Sequence, residues 1–260
     1  VIDEERIQTG FSLNSLEHHL VIFDQVDSTN LQAKELLHSK AQHGTIVIAE
    51  QQTRGVGRLR RSWYSPKGGL YFSVILRELA QIESLPLYGL LAACVIHESL
   101  KQLTDLQFSL KWPNDVLLGQ KKVSGVLSEY VVNGIHPLGI IVGVGINLNN
   151  RIEEFPTELQ ASATTILSAT KQESSVEDLL VAIISRLDWW LQSDPELEKV
   201  VQVYKRICGT LGRFVSADFQ GRTMRGKAVD VDADGFLIVE DASGKTVHID
   251  FGDIEHLGSV

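Results

Sequence analysis

The sequence predicts an α+β protein in which a mixed β-sheet carries helices packed on one side and a small β-barrel follows at the C-terminal end. Three observations carry that expectation. Apolar, β-branched runs succeed one another from Ser109 to Leu148 with turns between them, unlike the strand-helix alternation of a doubly wound parallel sheet. Two long segments, Leu85 to Leu103 and the stretch after Val176, have the apolar content and length of covering helices. From Leu211 the texture changes, and RFVSADF, KAVDVD, FLIVED and TVHIDF alternate over short distances between glycines, the pattern of a small barrel.

Each element has a local reason. LVIFDQV at Leu20 to Val26 reads as a strand, and Asp27 to Asn30 turns the chain into the helix LQAKELLHSK, with Thr29 and Gln32 at capping-box spacing. Thr45 to Ala49 and Leu70 to Leu76 are strands flanking an arginine-rich loop. Pro86 fits the first turn of the Leu85 to Leu103 helix, where His97 is expected to be a surface or packing residue. Ser109 to Leu118 and Lys122 to Val132 are expected to pair through Gly119 and Gln120. Asn133-Gly134 then turns the chain into LGIIVGVGINL. GVGIN lies in a strand, so its glycines give close approach and are not a Rossmann fingerprint, which would open a helix. Ser174 and Glu177 have capping-box spacing before LLVAIISRLDWWL, in which Trp189 and Trp190 are expected to pack. A second helix precedes Cys208.

At 260 residues the chain has room for one large domain and one small one. Its net charge of −9 argues against nonspecific binding of nucleic acid, which needs clustered Lys and Arg. Cys94 and Cys208, without CxxC or metal-ligand spacing, read as packing thiols. The N-terminal VIDEER is unlike a secretory signal, and no apolar run approaches the ~20 residues of a membrane helix, so a reducing cytoplasm is the expected compartment. A chain that opens on Val1 is expected to have lost its natural start.

The chemistry concentrates in EQQTRGVGRLRRSW, Glu50 to Trp63, where Arg54, Arg58, Arg60 and Arg61 surround Gly55 and Gly57. Gly55 and Gly57 are expected to let the backbone turn through conformations closed to other residues and approach a ligand closely, and guanidinium forks match phosphate or carboxylate, so the stretch is either an anion cradle or a solvated basic loop. Downstream stand KWPNDV (Lys111 to Val116), KKVSGVLSE (Lys121 to Glu129) and GVGINLNN (Gly143 to Asn150).

With DSTN at Asp27 to Asn30, these five motifs resemble, in order and spacing, the biotin protein ligases, which activate biotin with ATP and attach it to a carrier lysine. The resemblance spans most of the chain. It implies a catalytic domain over 20–208 with the biotin/lipoate ligase fold, an SH3-like domain over 209–260, and a tail or linker over 1–19. It implies biotin contacts from Ser28, Thr29, Asn30, Gln52, Gly55 and Gly57, although Ser28 to Asn30 are also explained as a helix cap. Arg58 matches the arginine of the glycine-rich loop and Lys122 the lysine of a KxxG motif, which implies contacts to the biotin carboxylate and the adenylate phosphate and makes them the expected catalytic pair. Arg58, Arg61, Trp63, Lys111 and Asn147 are the implied ATP contacts, with Trp63 either packing on the nucleotide or anchoring the loop, and Asn147 at the adenine edge. Lys111, Asn114 and Asp115 form the other polar wall. Asp115 either orients the incoming carrier lysine or belongs to a structural turn at Pro113. Many members carry GRGRxGR where this chain has GVGRLRR, similar to an archaeal form, so no contact is assigned to Val56 or Arg60.

Magnesium is expected through the phosphates of ATP, with no protein metal ligands. The expected partner is the biotin-accepting domain of a carboxylase or decarboxylase. Homodimerisation is usual among such proteins. Specific DNA binding is not expected of this chain, which has no room for the N-terminal helix-turn-helix of repressor forms. A lipoate ligase would carry an RRxSGGG-like stretch, a purely noncatalytic biotin sensor would not need Arg58 and Lys122, and a generic ATPase would carry a Walker loop.

Overall fold

A strand sends alternate side chains to opposite faces, so a run that is apolar throughout needs cover on both. The structure, a computed structural model, describes residues 2–11, 18–77, 84–192, 197–219, 222–250 and 252–257. After helix α1 (Glu4–Gly10) come β1 (Leu20–Val26), α2 (Thr29–His38), β2 (Ile46–Gln52), β3 (Leu70–Leu76), α3 (Leu85–Leu103), β4 (Phe108–Lys111), β5 (Asp115–Leu118), β6 (Lys121–Asn133) and β7 (His136–Ile146). Among the described residues the seven strands form one sheet in the order β1-β2-β3-β7-β6-β5-β4. The β1–β2 pair is parallel and the remaining pairs are antiparallel, which makes the sheet mixed. The short helices α4 (Thr157–Gln160) and α5 (Ile166–Thr170) lead to α6 (Val176–Gln192) and α7 (Leu197–Ile207).

The two faces are covered differently. Ile46, Ile48, Phe72, Val74, Val142 and Val144 join the main core with α3, α6 and α7. Val47, Ile75 and Ile141, one residue out of phase, meet Ala33 and Leu37 of α2 on the other face. Packing of helices on one side therefore describes the long helices, while the narrow apolar stripe of α2, two residues four apart, takes the opposite face. That second face continues into Ser73, Gly143 and Gly145, and the site lies there. The segment expected to be a tail contains α1, whose Ile7 is buried and whose Arg6 pairs with Asp178 of α6 at 2.7 Å. Residues 12–17 of that segment lie outside the described residues.

Three local expectations need correction. The run Ser109 to Leu118 is two strands rather than one, because Pro113 has no N–H to give a ladder and the chain turns at Trp112-Pro113-Asn114. Thr29 does not form a capping box with Gln32. Ser28 is the N-cap residue, and Gln52 Oε1 accepts the Thr29 N–H at 2.8 Å. At α6 the cap is Ser175, whose hydroxyl accepts the Asp178 N–H at 3.1 Å, while Ser174 is held by Asn149. Trp190 packs on the core as expected, but its neighbour Trp189 is 62% exposed. Cys94 and Cys208 are buried thiols, and burial raises the pKa of both. His97 is a buried packing residue 3.2 Å from Phe108 O.

β8 (Phe214–Phe219), β9 (Arg222–Val231), β10 (Leu237–Glu240), β11 (Thr246–Ile249) and β12 (Asp253–His256) form the antiparallel C-terminal sheet, in the order β11-β10-β9-β8-β12. Its inward residues Val215, Ala217, Val231, Leu237 and Ile254 belong to the main core cluster. Polar contacts fasten it to the β4–β5 turn. Trp112 N–H donates to Thr210 Oγ1 at 3.0 Å, and the indole N–H donates to Gly235 O at 2.9 Å. Among the described residues no helix is long and apolar enough to cross a membrane.

Candidate functional site

The site is assembled from turns at the ends of strands, where side chains converge without interrupting the ladders. They enclose a cavity of about 560 Å³ lined by Ser28–Asn30, the arginine loop, the β4–β5 turn, the glycines of β6 and β7, and the edge of the C-terminal sheet.

The first wall is a closed hydrogen-bond network. Ser28, Thr29 and Asn30 are all buried. Gln52 accepts from the Thr29 N–H and hydroxyl and donates to Ser65 Oγ at 2.8 Å, which fixes which end of its amide faces which way. Ser73 Oγ lies 2.8 Å from Thr29 Oγ1 and 2.7 Å from Asn30 Oδ1, and Asn30 Nδ2 donates to Glu129 Oε2 at 2.6 Å. Ser73 and Glu129 were not anticipated. Ser73 sits in an apolar strand whose out-of-phase face only register reveals, and Glu129 is separated from Asn30 by 99 positions.

The floor is made by glycines. A Cβ on Gly143 would fall on the Asn30 amide, 2.6 Å from its Cγ, and one on Gly145 would lie 2.6 Å from Trp63 Cε2. The close approach expected of GVGIN is thus taken by the protein's own Asn30 and Trp63. Trp63 also covers Gly125, and Lys122 Nζ stands 5.0 Å from the centroid of the indole. The indole N–H is buried without a partner.

Lys122 reaches this floor because of a bulge. Val116 pairs with Ser124 but Leu117 pairs with Lys122, so Val123 is extra and the side-chain alternation shifts by one. Lys122 and Gly125 consequently share a face, and a Cβ on Gly125 would lie 3.0 Å from Lys122 Nζ. Across the strand Asp115 Oδ1 holds the same ammonium at 2.6 Å. Asn114 donates to Val126 O and accepts from Arg58 Nη1 at 3.4 Å.

The roof is the arginine loop, hinged at the Gln52–Ser65 pair and narrowed again at Val56–Ser62. The reason given for its glycines needs correction. Gly57 has φ −105°, and a Cβ there would make only an ordinary 3.6 Å contact. Gly55 is needed for space, since a Cβ would come within 2.5 Å of Trp63 O. Left-handed backbone instead occurs at Leu59 (φ 55°) and Arg60 (φ 58°). Arg58 leans out of the loop to donate to Gly252 O at 3.2 Å and stacks 6.0 Å from the Trp112 ring centroid. Arg61 lines the cavity and is exposed.

At the far end Asn147 is buried, with 2% of the residue exposed. Its Nδ2 donates to Thr164 O at 3.1 Å, while its Oδ1 is a buried acceptor with no partner. Lys111 lines the same cavity opposite Asp115 in the β4–β5 ladder. The residues expected at the site line this cavity except Gly55, which packs inside the loop against Trp63 O and Ser65 Oγ. Gly252, Arg213 and His256, in and beside the C-terminal sheet, were missed, since nothing in a barrel-like alternation marks which edge faces a cavity built by the preceding domain. Among the described residues there is no group of three or more His, Cys, Asp or Glu arranged to hold a metal.

A mixed sheet with a glycine floor, an arginine-rich roof and a buried partnerless acceptor makes a cavity suited to an anionic ligand, and the comparisons supply the class, a ligase. Residues 22–147 match the Biotin/lipoate A/B protein ligase family and residues 210–257 match the Biotin protein ligase C terminal domain. The bifunctional ligase/repressor BirA of Bacillus subtilis is 31% identical over 249 residues, covering 94% of this chain and 76% of that one. The biotin–[acetyl-CoA-carboxylase] ligase of Mycobacterium tuberculosis is 28% identical over 276 residues, covering 98% and 99%. The biotin protein ligase of Aquifex aeolicus, solved in complex with biotin and ATP, superposes with a TM-score of 0.79 at 32% identity, covering 92% of this chain and 99% of that one. This chain belongs to the biotin protein ligases.

Proposed function

We propose that the chain is an ATP-dependent biotin protein ligase that forms biotinyl-5'-AMP and transfers biotin to a specific lysine of a carrier domain of a carboxylase. The observation that carries the chemistry is the Lys122–Asp115 pair, set 2.6 Å apart by a bulge beneath the Arg58 loop in one cavity. A carboxylate has a poor leaving group, so it must first be activated. A biotin carboxylate oxygen bonds to the α-phosphorus of ATP, the bond from that phosphorus to the β-phosphate oxygen breaks, and pyrophosphate leaves with the electron pair. Negative charge accumulates at the α-phosphate, and donors already in place there lower the barrier.

In this reading Lys122 and Arg58 are those donors. Ser28, Thr29, Asn30 and Gln52 address the ureido ring of biotin, with Gly55 and Gly57 in the loop above it. The free Asn147 Oδ1 suits the exocyclic amine of adenine, Trp63 packs on the purine, and Arg61 and Lys111 meet phosphate. In the second half-reaction the carrier lysine amine attacks the acyl carbon, AMP leaves, and the amine loses a proton beside Asp115. Magnesium enters with the phosphates of ATP. Further parts of the reading are the division at residue 208/209, a cytoplasmic site of action, carrier domains of decarboxylases as additional substrates, and sheet-mediated homodimers.

The test is biotin-dependent release of pyrophosphate followed by a biotin-sized mass gain on a carrier domain. An equal response to lipoate would sink the substrate assignment. The chain as described should not bind operator DNA, and salt-sensitive, sequence-selective retention in a mobility-shift titration would contradict that.

A further inference from the structure

Ser73 and Glu129 stand behind the cavity lining rather than on it, and both reach it through Asn30. The protons of this network can be counted. Asn30 Nδ2 has two oxygens beside it, Glu129 Oε2 at 2.6 Å and Leu127 O at 3.4 Å, and an ionised carboxylate or a carbonyl can only accept. Nδ2 spends its two protons there, which leaves Oδ1 facing Ser73. An amide oxygen needs a donor, so the single proton of the Ser73 hydroxyl goes to Asn30 Oδ1 at 2.7 Å. Ser73 then has none left for Thr29 Oγ1, 2.8 Å away, so the proton in that contact is the Thr29 hydroxyl's. Gln52 Oε1, at 3.2 Å, is a second acceptor for it, since Gln52 Nε2 is committed to Ser65 Oγ. Both acceptors belong to the protein. What Thr29, a lining residue, turns toward the cavity is therefore lone pairs.

We propose that Glu129 is a positioning residue for ligand selection: through Asn30 and Ser73 it fixes the direction of the hydrogen-bond chain, so that the Thr29 hydroxyl accepts from the ligand and this end of the cavity selects a ring with an N–H at that point. The inference rests on the reading that the ureido ring of biotin lies at this end, and it deepens that reading by naming what makes the site prefer a ring N–H to a ring oxygen. Direction has to be imposed, because a hydroxyl or an amide serves as donor or acceptor alike. Were the group at position 129 able to donate, the Asn30 amide would be free to turn over. Nδ2 would then donate to Ser73, Ser73 to Thr29, and the Thr29 proton would be released toward the cavity. The Glu129 carboxylate opposes this, since a turned amide would set Oδ1 against it with no proton between them. Asn30 and Ser73 are buried, so water does not relieve such a mismatch, and every member of the chain is held to one sense.

The experiment titrates wild type, Glu129→Gln, Ser73→Ala and the double variant by calorimetry with biotin and with its two cyclic carbamate analogues, each carrying a ring oxygen in place of one ureido N–H. Glu129→Gln keeps the shape of the side chain but lets it donate, and Ser73→Ala cuts the chain at its middle by removing one oxygen. Wild type should bind at least one carbamate roughly tenfold or more weakly than biotin, because that oxygen meets the lone pairs of Thr29. In either single variant the Thr29 proton is released, and the ratio should shrink to within about threefold. The double variant should relax it no further, since both changes act on one chain. A ratio unmoved in the single variants, with biotin and both carbamates weakened in proportion as the melting temperature falls, would show a structural role alone and overturn the proposal. So would a wild type that binds biotin and both carbamates equally. Biotin binding by wild type with an unmoved ratio leaves the reading of function standing, whereas absence of biotin binding by wild type would remove that reading and this inference together.

Discussion

The two ends of the cavity are built on opposite principles. At the Ser28–Asn30 end the polar side chains Thr29, Asn30, Gln52, Ser73 and Glu129 are engaged with one another, at 2.6–3.2 Å for their main contacts. At the end proposed for the nucleotide, Trp63 Nε1 and Asn147 Oδ1 are buried with no partner, and the loop above them passes through left-handed backbone at Leu59 and Arg60. A buried polar atom without a partner costs ~1–3 kcal/mol, and a non-glycine residue in left-handed backbone roughly 1–2 kcal/mol. One end is therefore a finished mould and the other holds interactions in reserve for a ligand to complete. A small ring can be recognised by a fixed surface. A reactive adenylate has to be enclosed, and enclosure needs a part that changes.

The sharpest way to break the finished end is Gly143→Ala. Its methyl would overlap the Asn30 amide and force apart the network to Ser73 and Glu129. Overpacking of this kind costs ~1–3 kcal/mol, so the melting temperature should fall and biotin affinity, measured by calorimetry, should drop on the order of tenfold or more. Wild-type affinity would mean that Asn30 does not face biotin.

At the other end, Lys122→Ala should slow single-turnover formation of the adenylate by roughly ten- to a hundredfold while weakening ATP binding less, because the ammonium meets charge that develops during the reaction. An unchanged single-turnover rate would remove Lys122 from the chemical step. The effect of Arg58→Gly should be different in kind. It removes the contacts to Asn114 and Gly252 O that hold the roof to both domains, so preformed biotinyl-AMP should dissociate several times faster, with synthesis less affected. Equal dissociation rates with slowed synthesis would place Arg58 in chemistry alone.

The smallest effect is expected from Arg60→Gly. It restores glycine at the position where the family's GRGRxGR pattern has it, and the φ of 58° explains why glycine is favoured there. Removing that strain should stabilise the observed loop conformation by about 1 kcal/mol, read as slower amide exchange of residues 56–62. Faster exchange would show that Arg60 holds the loop through side-chain contacts that outweigh the strain.

Much of the site was legible because its chemistry is written in short motifs. Arg58, Lys122, Asn147 and Ser28 to Asn30 all stand at turns or strand ends named from the sequence. β3 and α3 also have the bounds expected from local pattern, since Leu70–Leu76 is apolar throughout and Pro86 marks a helix start. The caps were misjudged for one reason: spacing proposes Thr29–Gln32 and Ser174–Glu177, but Gln52 and Asn149, distant in sequence, took the donors first.

The sequence by itself determined which residue types could do this chemistry and the order in which strands, helices and the C-terminal sheet would follow, because those follow from local periodicity and composition. Only the tertiary structure decided where the chemistry meets. A single extra residue at Val123 turns Lys122 to the same face as Gly125, the space beside two glycines is filled by Asn30 of α2 and Trp63 of the arginine loop, and Arg213 and His256 arrive from the C-terminal region of the chain. Each of these depends on register and docking, which set the face a side chain occupies through contacts far apart in the chain, and periodicity within a segment is the same whichever face is chosen.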